Sequence, residues 1–163
     1  MIFFSDGTTD KKLAYGEFKN NSKKLAAGLI NKAGFRRGNV LAIFSPNQVD
    51  YPTVLFGAIA AGGIVTFVNP MYTIEEFTYQ LKDSGAKYIV AFLSNVIKAT
   101  TADDKEINGI KPYSYLISEK EVNPVEYSEE AKSTTAYLCY SSGTTGKNKG
   151  VETTHFNMVA NLS

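Results

Sequence analysis

The chain has 163 residues, of which 44% are hydrophobic and 20% charged, and its formal net charge is +1. That length suits one domain with a real core, and so even a charge balance supplies no field for gathering nucleic acid or an anionic membrane. No window approaches the roughly 20 apolar residues of a membrane span, so no transmembrane segment is expected.

The opening MIFFSDGTTD lacks the basic, apolar and small-residue succession of a signal peptide. Within it, IFF and the later KLAY flank the turn signal SDGTT, which predicts a short hairpin. A helix is expected from about Glu17 to Lys32, with Phe18, Leu25 and Leu29 on one face. Three apolar runs then read as buried strands: Val40 to Phe44, Ile64 to Val68 and Tyr88 to Phe92. Each follows glycine (Gly38, Gly62–Gly63, Gly85) at a point where a helix would end in left-handed geometry. Between the first two runs, VLFGAIAAG is apolar nearly all round, as in a helix sandwiched between a sheet and another layer. Between the last two, TIEEFTYQLKDSG has Thr73 and Glu76 at capping-box spacing, with Ile74, Phe77 and Leu81 on one face. Strand and helix alternating at this cadence predict an α/β fold with a mainly parallel sheet flanked by helices.

From Ala99 to Lys132 the pattern weakens, and loops around one strand near Tyr113 to Ile117 are expected. Asp103, Asp104 and Glu106 read there as a solvated face, because no second ligand set follows at a useful spacing. TAYLCY, Thr135 to Tyr140, is again strand-like, with the single cysteine, Cys139, as a small buried hydrophobe. One cysteine excludes an internal disulfide framework, which fits a reducing, intracellular compartment. The only histidine, His155, has no nucleophile or carboxylate beside it in sequence, so a structural or pocket-lining role outweighs proton transfer. VETTH is β-prone, and FNMVANLS is helical in character with Thr154 as N-cap.

The chemistry lies between those strands, in YSSGTTGKNKG, Tyr140 to Gly150. Glycines let backbone approach a ligand closely, and consecutive amides form an anion-binding nest. Four hydroxyl side chains and Lys147 and Lys149 add donors and positive charge. This composition suits a polyphosphate, or else a flexible surface loop rich in small residues. The Walker pattern G-x-x-x-x-G-K-[ST] fails here: Gly143 and Gly146 are too close together, Asn148 follows Lys147, and a strand rather than a helix comes next. The dinucleotide pattern G-x-G-x-x-G is absent as well.

The stretch YSSGTTGKNKGVETTH, Tyr140 to His155, resembles the phosphate-loop signature of the adenylate-forming (AMP-binding) superfamily, usually written YSSGTTGLPKGVxxTH. Val40 to Val90 supports the likeness through SPN, GAIAAGG, NPMYT and QLKDSGAK, closest in wording to 4-coumarate–CoA ligases among the acyl-CoA synthetases. The resemblance implies ATP with Mg2+, coenzyme A and a carboxylic acid as reactants, and a cytoplasmic or peroxisomal location. It implies that Ser141, Ser142, Gly143, Thr144, Thr145 and Lys149 meet the nucleotide phosphates, with Gly146 and Gly150 serving the turn. No residue of this chain is carried over as catalytic or as a metal ligand. Two positions depart from the signature: Lys147 stands where leucine is usual and Asn148 where proline is usual. Loss of proline is expected to loosen the loop, and Lys149 to remain the main cationic contact. The resemblance further implies that residues 1–163 are a partial N-terminal AMP-binding domain, without the remainder of that domain and the C-terminal lid, and inactive in adenylation by itself. A non-catalytic remnant or interaction module with weak or no nucleotide binding is the alternative.

Overall fold

The computed structural model describes residues 3–5, 7, 10–91, 113–117, 120–127, 129–141 and 148–161. The hairpin at the start is present: β1 (Phe3–Ser5) pairs antiparallel with β2 (Lys12–Ala14). Helix α1 (Tyr15–Asn31) follows directly, the Glu17 carboxylate accepting the Ala14 N–H at 3.1 Å. The expected helix therefore starts slightly earlier and buries Phe18, Leu25 and Leu29 as its periodicity requires.

The main sheet has five strands in the order β5-β3-β4-β6-β7. Strands β3 (Val40–Phe44) and β4 (Ile64–Val68) match the apolar runs residue for residue and pair in parallel, Val40 opposite Ile64 through Phe44 opposite Val68. Strand β5 (Ala86–Ala91) starts before the predicted Tyr88, and Phe92 lies outside the described residues. Strand β6 (Thr135–Ser141) lies parallel to β4, and only β7 (Lys149–Thr154) runs antiparallel.

Alternation along β3 divides the core between the two faces of the sheet. Leu41 and Ile43 point to one side, where α1 and α2 (Tyr51–Ala60) cover them with Leu25, Leu29, Val54 and Ala58. Helix α2 is thus sandwiched between sheet and α1, as its apolar circumference predicts. Ala42 and Phe44 point to the other side, where α3 (Ile74–Ser84) stacks Phe77 on Phe44 at 4.3 Å. Phe77 is fully buried, a contribution of about 1.5–3 kcal/mol for a side chain of this size. Leu81 joins that cluster, whereas Ile74, in the first turn of α3, remains exposed. Beneath α3, Gln80 Nε2 donates to Thr66 Oγ1 and to the Phe67 carbonyl, both at 2.9 Å, and Thr66 Oγ1 donates to the Leu138 carbonyl at 3.1 Å. This chain of bonds ties α3, β4 and β6 together on one face.

The glycines before the strands divide by role. Gly85 caps α3 with φ 67°, and Gly62 follows the end of α2 with φ 81°. Gly38, with φ 80°, caps nothing: α1 ends at Asn31, and Gly38 turns the connection into β3.

Tyr113–Ile117 is a short helix, α4, and not the strand expected. Tyr113, Leu116 and Ile117, at helical spacing, pack on the α1–α2 side of the core. Gly28 of α1 admits this approach, since a Cβ there would stand 2.4 Å from the Leu116 carbonyl oxygen. Lys32 Nζ closes the contact by donating to the Tyr115 carbonyl at 3.0 Å. Docking on α1 decides the conformation of this segment. A 3-10 helix (Glu129–Lys132) and α5 (His155–Ala160) complete the described structure. Thr154 is the N-cap of α5, accepting the Asn157 N–H at 3.2 Å.

Candidate functional site

Because β3, β4, β5 and β6 are parallel, their carboxyl ends lie along one edge of the sheet. Ligands of open α/β sheets bind at that edge, where strands hand over to loops. The polar loop leaves β6 there. Ser141 is the last residue of β6, Lys149 the first of β7, and the two are register partners. Both are exposed. Of the predicted phosphate contacts, Ser141 and Lys149 therefore stand side by side at the base of the loop. Ser142, Gly143, Thr144 and Thr145, together with Gly146 and Lys147, lie outside the described residues, as do Asp103, Asp104 and Glu106.

Both arms of the hairpin are tied to α3 and the turn before it. On the β6 arm, the Tyr140 hydroxyl donates to Asp83 Oδ2 at 2.6 Å. Burial, and the Asp83 carboxylate accepting its proton, push the Tyr140 pKa far up, so the phenol stays a donor throughout the neutral range. On the β7 arm, Asn148 Nδ2 donates to the Tyr72 hydroxyl oxygen at 2.7 Å, while the Tyr79 hydroxyl donates to the Asn148 carbonyl at 3.2 Å. At the position where the signature has proline, the asparagine is bonded to two tyrosines. Tyr72 belongs to NPMYT, the turn between β4 and α3, which is folded on itself by Asn69, whose Oδ1 accepts the Met71 N–H and whose carbonyl accepts the Tyr72 N–H. Sequence reading assigned no role to Tyr72, Tyr79 or Asp83. The spacing of Tyr79 and Asp83, one helical turn apart, was the available signal.

Gly150 also differs from expectation. It lies within β7 opposite Tyr140, not in the turn, and a Cβ there would come within 3.0 Å of the Tyr140 ring. Its service to the site is space: it lets the tyrosine cross β7 toward Asp83.

Two other residues singled out from sequence are His155 and Cys139. The His155 ring stacks on Tyr127 at 4.1 Å between centroids, and the guanidinium of Arg37, paired with Glu130, lies 4.7 Å from the centroid of the same Tyr127 ring. Burial, then the Arg37 charge, lower the His155 pKa, and its Nε2 has no hydrogen-bond partner among the described residues. Cys139 is exposed rather than buried. It is two residues from Tyr137 on the same face of β6, and the Tyr137 ring is buried and stacks on Phe67. A cleft of about 280 Å3 opens beside Val40, Ile64 and Thr135 at the amino ends of the strands and reaches Tyr140 and Gly150 of the hairpin. Asp83 and Glu152 are in its wall, and two carboxylates make it a poor receptor for a triphosphate. Among the described residues no group of three or more His, Cys, Asp or Glu is arranged to hold a metal ion, and no helix is long and apolar enough to cross a membrane.

The AMP-binding enzyme family matches residues 1–163. The chain belongs to that family. It is 34% identical to 4-coumarate–CoA ligase 3 of Arabidopsis thaliana over 167 residues, covering 96% of this chain and 30% of the ligase. It is 31% identical to a long-chain-fatty-acid–CoA ligase of Salmonella typhimurium over 187 residues, covering 92% of this chain and 33% of that enzyme. The o-succinylbenzoate CoA synthetase of Bacillus subtilis, solved with its acyl-adenylate intermediate, matches in structure with a TM-score of 0.75 and 26% identity, over 94% of this chain and 40% of that one. This AMP-binding chain spans about a third of the length of the two ligases. Its mostly parallel sheet with helices on both faces agrees with the expectation from sequence.

Proposed function

We propose that this AMP-binding chain is part of an acid–thiol ligase, and that residues 141–149 form its grip on the triphosphate of ATP. In the proposed reaction a carboxylate oxygen attacks the α-phosphorus of Mg-ATP, and the bond to pyrophosphate breaks. The acyl-adenylate then yields its acyl group to the sulfur of coenzyme A, and AMP leaves. The observation that carries this reading is the pairing of Ser141 with Lys149 at the carboxyl edge of the parallel sheet. A hydroxyl and an ammonium side by side at the base of a glycine-rich loop are donors suited to phosphate oxygens.

Within this reading Ser141, Ser142, Thr144 and Thr145 supply hydroxyls, Gly143 close backbone approach, and Lys149 charge. Positioned donors of this kind stabilise the charge that develops as pyrophosphate departs. Mg2+ would be carried largely by the phosphate oxygens themselves, as is usual for nucleotide-bound magnesium. Chemistry dependent on ATP and coenzyme A goes with an intracellular site, cytoplasmic or peroxisomal.

The test is calorimetric titration of the protein with β,γ-methylene ATP and Mg2+. Lys149→Ala is expected to weaken binding by roughly tenfold or more, the effect of removing a charged hydrogen-bond donor, and Ser141→Ala to weaken it less. Loss of binding in Lys147→Ala with none in Lys149→Ala would transfer the cationic role to Lys147. Absence of binding by the unsubstituted protein would end the triphosphate reading.

A further inference from the structure

We propose that Asn148 and Tyr72 form a latch, backed by Tyr79 and by the Tyr140–Asp83 bond, that positions the phosphate hairpin on α3. The inference rests on the reading of the 141–149 hairpin as the triphosphate grip, but its geometry is independent of that reading. Asn148 directly precedes Lys149, and Tyr140 directly precedes Ser141, so the tied residues adjoin the two ends of the register pair. All three bonds reach the same short stretch: Tyr72 in the turn before α3, then Tyr79 and Asp83 on α3 itself. That helix is in turn fixed by buried Phe77 and by Gln80, which bonds to Thr66 and the Phe67 carbonyl. Movement of the hairpin base relative to the sheet edge must therefore break these bonds or shift a helix anchored by buried Phe77 and Gln80.

The chemistry at position 148 gives the latch its meaning. Proline, the residue usual in the signature, fixes its own φ through its ring. Asparagine does not, and its backbone alone would leave the approach to Lys149 free to rotate. Here the side-chain amide is spent on Tyr72 and the carbonyl on Tyr79, so contacts across space supply the restraint that the ring would supply locally. Tyr72 and Asn148 are positioning residues: they act on nucleotide through Lys149 and not by touching it.

Five variants test this: Asn148→Ala, Tyr72→Phe, the two combined, Asn148→Pro, and Asn148→Pro with Tyr72→Phe. Two readouts are taken on each. The first is the rate of tryptic cleavage after Lys149 without nucleotide, which reports opening of the hairpin base. The second is affinity for β,γ-methylene ATP with Mg2+. Each single substitution is expected to raise cleavage and lower affinity about fivefold, the effect of one hydrogen bond. The double variant should be no worse than Asn148→Ala, because the two residues share one bond. Asn148→Pro should restore affinity, and Tyr72→Phe in that background should cost nothing.

Unchanged cleavage and affinity in both single variants, with circular dichroism intact, would overturn the latch, as would effects of Asn148→Ala and Tyr72→Phe that simply add. Failure of Asn148→Pro to restore affinity would assign Asn148 a direct contact with nucleotide instead. A protein that ignores the nucleotide but whose cleavage responds as predicted keeps the latch and loses the triphosphate reading.

Discussion

At Gly150 a single methyl group is enough to disturb the candidate site. A Cβ there would stand 3.0 Å from the Tyr140 Cζ and 3.1 Å from its hydroxyl oxygen, inside ordinary contact distance. The ring would have to give way, and the movement would lengthen the 2.6 Å bond to Asp83. Gly150→Ala is expected to destabilise the fold by about 1–2 kcal/mol, as overpacking commonly does, measured as a lower urea midpoint. Tyr140→Phe should cost about 1 kcal/mol by losing the hydrogen bond alone. Because both substitutions act on the same bond, the double variant should be less destabilised than the sum of the two. Additive effects would mean that Gly150 acts through β7 itself and not through the tyrosine.

Among the elements, α3 carries the most connections to the site, and its start is the most legible from sequence. Thr73 accepts the Glu76 N–H at 3.3 Å, while Glu76 Oε2 accepts the Thr73 N–H at 2.8 Å. Thr73→Ala is expected to cost about 1 kcal/mol, seen as a fall in melting temperature of about 2–4 °C. It should also speed tryptic cleavage after Lys149, because the cap adjoins Tyr72; a melting shift without that change would uncouple the two. The cap and the strands β3 and β4 could be read from sequence because each is written in local spacing. The misreadings came where distant partners decide. Tyr113–Ile117 becomes a helix because Gly28 lets it dock on α1. Cys139 is exposed although buried Tyr137 sits in the same apolar run. For the candidate site, Ser141 and Lys149 are named by the motif alone, whereas Tyr72, Tyr79 and Asp83 join it through side-chain bonds that cross from α3 and its preceding turn to the hairpin.

Across the whole molecule, one titration joins the connection into β3, the segment before β6 and the start of α5. His155 opens α5 and bonds through its backbone N–H to the Thr134 carbonyl at 3.1 Å, while its ring stacks on Tyr127 beneath Arg37. Burial and the Arg37 charge both disfavour its protonated form, so its pKa in the fold lies below the ordinary value of 6.5. Above pH 6.5 the ring is neutral whether the chain is folded or unfolded, and the stabilising stack is fully present. As pH falls below 6.5 the unfolded chain takes up a proton that the folded chain refuses. Stability must then decline until the pH passes the depressed folded value, where both states are protonated and the decline stops. Burial is the larger of the two causes, and Arg37 is itself paired with Glu130. Urea midpoints at pH 7.5 and 5.5 test this. The unsubstituted protein should lose more stability over that interval than His155→Phe, which keeps an aromatic ring against Tyr127 but cannot take up a proton. An equal loss in both proteins would assign the acid sensitivity to groups elsewhere, and a greater loss in His155→Phe would require a charged histidine in the fold.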